Sequence, residues 1–307
     1  MKNILFATTA LVATAGIASA DVSISGFAEM GIFDNGSGDM QFFNDIDVTF
    51  SMSGETDGGL SFGASVDLDE VSDTVVNKAT DNNSEGGIAA NISGGFGTIT
   101  LGDTDGASDW AMTETAIGGA MADDHTAHAG YSGNSGYDGL GGGQILRWNH
   151  TIGTMGVAVS MQQANNGASS ANDDTMQAGL KYSMDAGDAT VALGLGFVDA
   201  GTQGAGDSNS VGISVKVASG NLTGILNYTD GETEGVSNSH TGFGIGYSMD
   251  ALTVGVNYGE KDHDTNGKTD GFGLAVNYSM GGGAVFQLGY GDGEGTDTMS
   301  MGLALSF

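Results

Sequence analysis

Large apolar and small or polar residues alternate with a period of two from near the start of the chain to its last residue, and this alternation decides most of what the chain can become. In residues 298–307, Met299, Met301, Leu303, Leu305 and Phe307 are apolar, whereas Ser300, Gly302, Ala304 and Ser306 between them are small or polar. A strand sends successive side chains to opposite faces, so such a segment has one greasy face and one hydrophilic face. The same pattern aligns Phe272, Leu274, Val276 and Tyr278; Leu252, Val254, Val256 and Tyr258; and Phe243, Ile245, Tyr247 and Met249. Earlier segments repeat it with Val191, Leu193, Leu195 and Phe197, with Met155, Val157, Val159 and Met161, with Leu60, Phe62, Ala64 and Val66, and with Ile46, Val48, Phe50 and Met52.

The second face separates two kinds of all-β protein. A soluble sandwich puts bulk inside and abundant charge outside. Here the second face is mainly Gly, Ser, Thr and Asn, in a chain with 56 Gly and no Pro. Small polar walls suit the inside of a wide, water-filled barrel whose bulky face meets lipid, and only a closed barrel satisfies its backbone hydrogen bonds at membrane depth. Seven Lys and Arg against 38 Asp and Glu give a net charge of −31, which would repel a phosphate backbone and excludes a nucleic-acid binder. The absence of Cys excludes a disulfide scaffold, a thiolate metal site and a cysteine nucleophile.

Met1, Lys2 and Asn3 make a short positive start, residues 4–17 form an apolar run broken only by Thr and Gly, and Ala18-Ser19-Ala20 fits a small-residue cleavage site. The first twenty residues are therefore expected to be an export signal cleaved after Ala20, leaving 287 residues of the 307 at a net charge of −32 once Lys2 is lost. The run is too short for the roughly 20 apolar residues of a membrane-spanning helix.

From Val22 to Phe307 the alternation divides into sixteen segments. At about 10 residues each they use roughly 160 residues, and one loop of about 40 leaves near 6 for each remaining connection. Short connections at 54–58, 94–97, 185–188, 219–220, 250 and 281–283 take turns with longer acidic ones at 69–84, 165–174, 201–208, 231–238 and 261–269. Short turns on one side and long loops on the other are the outer-membrane habit. Phe50-Ser51-Met52, Tyr182-Ser183-Met184, Tyr247-Ser248-Met249 and Tyr278-Ser279-Met280 each precede a short turn, which places an aromatic ring at one membrane interface.

With these features the chain resembles the 16-stranded outer-membrane porins, especially the alphaproteobacterial porins of the Rhodobacter type. The resemblance rests on Asp21-Val-Ser-Ile-Ser-Gly-Phe27, on Ser53-Gly-Glu-Thr-Asp-Gly58 followed by Leu60-Ser-Phe-Gly-Ala64, on Gly102-Asp-Thr-Asp105 leading into a long loop, and on the terminal Phe307. It implies a homotrimer of antiparallel barrels in outer-membrane lipid and lipopolysaccharide, delivered by the outer-membrane assembly machinery through Phe307. It also implies a third extracellular loop folded inward to narrow each pore. Residues 103–143, the only long stretch without clear alternation, fill that role and carry Asp103, Asp105, Asp109, Glu114, Asp123, Asp124 and Asp138 with no Lys or Arg. Trp110, Met112, Ile117 and Met121 are the side chains expected to pin this loop to the wall; the bland alternative is an acidic, solvated surface loop.

Such porins set a basic cluster across from the acidic loop, and here the chain departs from the pattern. The expected lumen positions of the first three strands are Glu29, Asp45, Asp47 and Asp67, and the basic residues on polar faces are Arg147, Lys181 and Lys216. This assignment depends on strand parity, which one bulge would invert. A lumen lined by carboxylates concentrates cations and repels anions. The alternative is acids that only hydrate a wide pore, because charges more than about 8 to 10 Å from the ion path are largely screened.

Other motifs carry less. Asp262-His-Asp264-Thr-Asn266-Gly267 matches the start of a calcium loop, but its twelfth position is Gly273 instead of Glu, so Asp262, Asp264 and Asn266 offer at most a weak external Ca²⁺ site against the alternative of a solvated tip. Asp123, Asp124, His125 and His128 have spacing for a divalent metal without a third orienting group. Gly242-Phe-Gly244-Ile-Gly246 lies in an alternating strand, where glycine on the lumen face explains it better than a nucleotide loop. With no nucleophile elbow and five scattered His, no catalytic constellation emerges, and no cofactor is required. The sequence thus points to a non-enzymatic, cation-preferring channel for passive diffusion of ions and small hydrophilic solutes. The alternative is a structural or adhesive barrel plugged by its third loop.

Overall fold

The computed structural model describes residues 21–34, 36, 39–69, 78–79, 87–121, 144–164, 172–293 and 296–307; the expected export signal lies outside them. The first half contains β1 (Asp21–Asp34), β2 (Gln41–Glu55), β3 (Ser61–Asp69), β4 (Lys78–Ala79), β5 (Ile88–Gly94), β6 (Gly97–Gly102), the short helix α1 (Ala107–Ala111), β7 (Ile145–Ile152), β8 (Met155–Gln162) and β9 (Thr175–Ala186). The second half contains β10 (Ala189–Gln203), β11 (Gly206–Ser219), β12 (Leu222–Thr233), β13 (Val236–Met249), β14 (Leu252–His263), β15 (Gly267–Gly281), β16 (Ala284–Gly293) and β17 (Thr296–Ser306).

Each strand pairs antiparallel with its neighbour along the chain, and β1 closes the ring against β17 with Met30 opposite Leu303. The two-residue β4 stands apart, pairing parallel to β2, while β3 joins β5 directly. Sixteen antiparallel strands therefore form the barrel, as the alternation predicts. Closure leaves no edge strand, so the backbone groups of the wall are paired within the ring.

The connections differ from expectation on one side. Residues 201–208, 231–238 and 261–269 are not loops: β10 and β11, β12 and β13, and β14 and β15 run on until only residues 204–205, 234–235 and 264–266 turn the chain. The ladder continues through Thr202 opposite Asp207, Glu232 opposite Ser237 and Asp262 opposite Lys268. Polar composition reads as loop, yet strands that rise out of the membrane into water are polar on both faces. At one tip, Glu234 and Gly235 both have positive φ (51° and 79°), the conformation that lets a two-residue turn match the twist of its strands. The wall is consequently uneven. β6, at 6 residues, spans only about 20 Å, whereas the 15 residues of β10 reach about 50 Å.

Parity holds around the ring. Ile24, Met30, Phe42, Phe62, Leu195, Ile213 and Phe243 are exposed on the outer face, Phe42 at 81%. The alternate positions, among them Ser160, Gln177, Ser214, Asn227 and Asn257, are buried on the inner face. Tyr182, Tyr247 and Tyr278 mark the outer surface near the short turns, and towards the opposite end the Tyr228 and Tyr258 hydroxyls each reach a carboxylate, Asp230 and Asp270, at 3.3 Å. Amphipathic rings at two levels bracket an apolar band, as an outer-membrane barrel requires.

Leu195 sits midway along β10 on the lipid face. Leu195→Arg is expected to lower the unfolding free energy in lipid vesicles by about 2–4 kcal/mol, the cost of arginine at the midplane. Lys216→Arg, on the inner face, is expected to stay within about 0.5 kcal/mol of the native protein in the same urea titration.

Candidate pore constriction

Residues 103–121 leave the top of β6 and enter the barrel, where their backbone has no strand to pair with. Orphaned backbone groups away from water are costly, and inward side chains of the wall supply the partners. Ala107 N donates to Ser160 Oγ at 2.9 Å, Ser108 N to Gln177 Oε1 at 3.1 Å and Thr113 N to Ser214 Oγ at 2.9 Å. Asn227 Nδ2 donates to Thr113 O at 3.0 Å. Further round, Asn277 holds Gly119 twice, accepting from its N and donating to its O at 2.8 Å each, and Met121 N donates to Ser300 Oγ at 3.2 Å. These anchors stand on β8, β9, β11, β12, β15 and β17, so the segment crosses most of the inner wall. Each bond contributes about 1 kcal/mol net, and several together hold one path.

Apolar side chains of the same segment fill the wall where it lacks side chains. A Cβ on Gly156 would stand 2.9 Å from Trp110, one on Gly196 2.9 Å from the Met112 sulfur, one on Gly255 3.1 Å from Ile117 Cβ and one on Gly31 3.0 Å from the Met121 sulfur. At Gly179, Gly244 and Gly255 the carbonyl oxygens of Ala107, Thr115 and Ile117 occupy the space a Cβ would need. Glycine is required there by close approach of two backbones.

The acids divide into several groups. Asp103, Asp105 and Glu114 are exposed and Asp109 is half-buried, all in the described part of the loop; Asp123, Asp124 and Asp138, with His125 and His128, lie outside the described residues. On the facing arc, Asp47 and Asp67 are half-exposed on the inner face, and Asp67 accepts a 2.9 Å hydrogen bond from Thr49 Oγ1. Glu29 and Asp45 also point inward and stand opposite each other in the ladder, but they are only 3% and 6% exposed. Gln287, with its amide nitrogen turned towards them, bridges Glu29 Oε1 at 3.1 Å and Ala120 O at 3.2 Å. These two carboxylates therefore stand at the far end of the loop segment, away from open water.

The cations lie on the arc that the loop first crosses. Arg147 on β7 donates to Asp105 O at 2.7 Å and stands 3.6 Å from the Asp105 carboxylate, with side-chain exposures of 12% and 60%. Lys181 on β9 places its Nζ 3.4 Å from the centroid of the Trp110 ring and 3.4 Å from Trp110 O. Lys216 is inward on β11, eight strands round the ring from β2. Arg147 and Lys181 thus fasten the loop to its own wall instead of facing it across the pore.

At the β14–β15 tip, Lys268 Nζ approaches Glu260 Oε1 at 2.7 Å and Asp262 Oδ2 at 3.5 Å. The hydrogen bond from Lys268 to Glu260, and then the charges of Glu260 and Asp262, hold this ammonium above the usual lysine range. Asp262 therefore already faces an ammonium, while Asp264 and Asn266 occupy the turn, and the His263 ring accepts from the backbone N of Thr265 and Asn266 at 3.2 and 3.3 Å. Among the described residues no three His, Asp or Glu side chains gather as a metal site. The sequence reading missed the anchors Ser160, Gln177, Ser214, Asn227, Asn277 and Ser300. Each is a hydrogen-bonding residue at an inward position, a pattern it shares with residues that only line water.

Gly255→Leu is expected to push Ile117 off the wall. The unitary conductance should then change by more than a quarter while the barrel still folds, as judged by its heat-modifiable migration in a gel.

The chain matches the family model described as Gram-negative porin over residues 7–298. It is 27% identical to a porin of Rhodobacter capsulatus over 302 residues, covering 89% of this chain and 95% of the relative. A porin structure refined at 1.8 Å superposes with a TM-score of 0.72 at 25% identity, covering 94% of this chain and 100% of the other. An engineered porin of Rhodopseudomonas blastica gives 0.70 at 19% identity with the same coverage. A closed sixteen-stranded ring with a greasy exterior and a hydrophilic interior agrees with these matches, and the chain belongs to the Gram-negative porins, non-enzymatic channels of the outer membrane that pass solutes by diffusion.

Proposed function

We propose that this porin prefers cations, and that the stretch of lumen between the loop segment and the β1–β3 arc sets the preference. The observation that carries the reading is the placement of charge. The loop carries Asp103, Asp105, Asp109 and Glu114, Asp103 standing beside the start of β5; the inner face of β2 and β3 bears Asp47 and Asp67, and Arg147 is committed to Asp105. A carboxylate within a Debye length of about 8 Å of a passing ion is not screened away at physiological salt. Lys181 is drawn against Trp110, leaving Lys216 as an inward cation without an ion-pair partner among the described residues.

The chain is exported by a signal cleaved after Ala20, is recognised by the outer-membrane assembly machinery through Phe307, and assembles as a homotrimer among outer-membrane lipids and lipopolysaccharide. Phe307 is 80% exposed at the end of β17, available to a partner during insertion.

The test is the zero-current potential of the refolded protein in a planar bilayer under a KCl gradient. The expected sign is that of K⁺ preference, and Asp47→Asn with Asp67→Asn should lower the K⁺ to Cl⁻ permeability ratio at least twofold. An anion-favouring potential would overturn the charge assignment, and folded protein without conductance steps would favour the plugged barrel.

A further inference from the structure

In a chain so rich in carboxylates, one cavity is lined by a lysine and no acid. It has a volume of about 430 Å³ and thirteen lining residues, none of them acidic, and lies between the loop and the short β7–β8 turn. That volume is within the range of small-molecule sites. Its roof is Trp110 and Met112, its floor is Thr151 and Thr154 near the turn, and Lys181 and Ser183 of β9 form one side. Gly156 makes the site possible: a Cβ there would stand 2.9 Å from the indole and 3.0 Å from the Lys181 stem.

We propose that this cavity is a binding site for small organic monocarboxylates with an apolar tail, reached from the periplasmic side of the constriction. The Lys181 ammonium has the Trp110 ring at 3.4 Å and the Trp110 carbonyl at 3.4 Å as its partners, neither of them charged. A cation over an indole face is held by the ring quadrupole, yet an ammonium carries three N–H groups, and a long contact to one carbonyl leaves donors for a carboxylate. Thr151 and Ser183 add hydroxyl donors for its second oxygen, while Met112 offers apolar surface to a tail. Lys216 strengthens the site from a distance. It lies on the inner face two strands beyond Lys181 and two residues along, about 12 Å away, and adds a second positive charge to this corner of the lumen. Short turns of an outer-membrane barrel face the periplasm, which fixes the side of access. Entering anions would thus meet repulsion at the constriction but a specific stop beneath it.

The experiment needs no conductance. The chain has two Trp residues, so Trp148→Phe leaves Trp110 as the sole indole, directly under Lys181. Hexanoate is titrated against this folded variant in detergent, with hexanol and hexylammonium as controls of equal tail length. The expected result is a saturable change in Trp110 emission with hexanoate alone, weakened at least tenfold by Lys181→Gln and retained by Lys181→Arg, both variants showing native heat-modifiable migration. No saturable change, an equal response to hexanol, or undiminished binding in Lys181→Gln would overturn the site. Hexanoate added from the periplasmic side should also reduce the unitary K⁺ current. A saturable emission change in a protein that passes no current would uphold the site and count against the proposed conducting channel instead.

Discussion

At membrane depth every peptide group must find its partner within the chain, and both the wall and the loop inside it answer that demand. The wall answers it by closing: sixteen strands pair in sequence until β17 meets β1. The loop has no such neighbours, so it borrows from Ser160, Gln177, Ser214, Asn227, Asn277 and Ser300. Those residues are short enough to leave a lumen and polar enough to receive a backbone. Glycine between them lets the loop approach to backbone contact, and the inward face becomes a bed for one particular path.

Electrostatics then follows from where the loop lies. Arg147 and Lys181 secure its first turn, so these two cations are spent on one side of the channel. The opposite arc presents Asp47 and Asp67, while Glu29 and Asp45 are withdrawn beneath the loop's far end. Charge that is attached to the loop's own wall fixes geometry; charge that faces water sets the field an ion meets. The residues that hold the loop are thus different from those that face the open lumen.

Much of this was legible from alternation alone. The outer faces read from Met299, Met301 and Leu303 or from Phe243, Ile245 and Tyr247 are the lipid faces, and sixteen strands were countable before any pairing was known. The strand tips were not legible, because Thr202, Glu232 and Asp262 are as polar as any loop although they continue the ladder. Local composition registers water, and a strand above the membrane has water on both faces. Nor did parity distinguish Glu29 from Asp67: both point inward, but only the three-dimensional course of the loop covers one and leaves the other half-exposed. The anchors were hidden for a similar reason, since a serine that holds a loop and a serine that lines water have the same spacing in sequence.

The loop segment can be tied to the glycine-bearing wall to ask whether it rests there while the channel is open. Because the chain contains no Cys, a Thr115→Cys, Gly242→Cys pair would be its sole thiols. A Cβ on Gly242 would lie 2.9 Å from Thr115 Cγ2 and 3.3 Å from its Oγ1, close enough for a disulfide, whose Cβ atoms stand about 3.5–4.5 Å apart. The measurement is single-channel conductance of this variant before and after reduction. The disulfide is expected to form in the folded barrel, and reduction is expected to leave the conductance unchanged. A pair that stays reduced under oxidation, or a channel that opens only when the bond is broken, would contradict that placement.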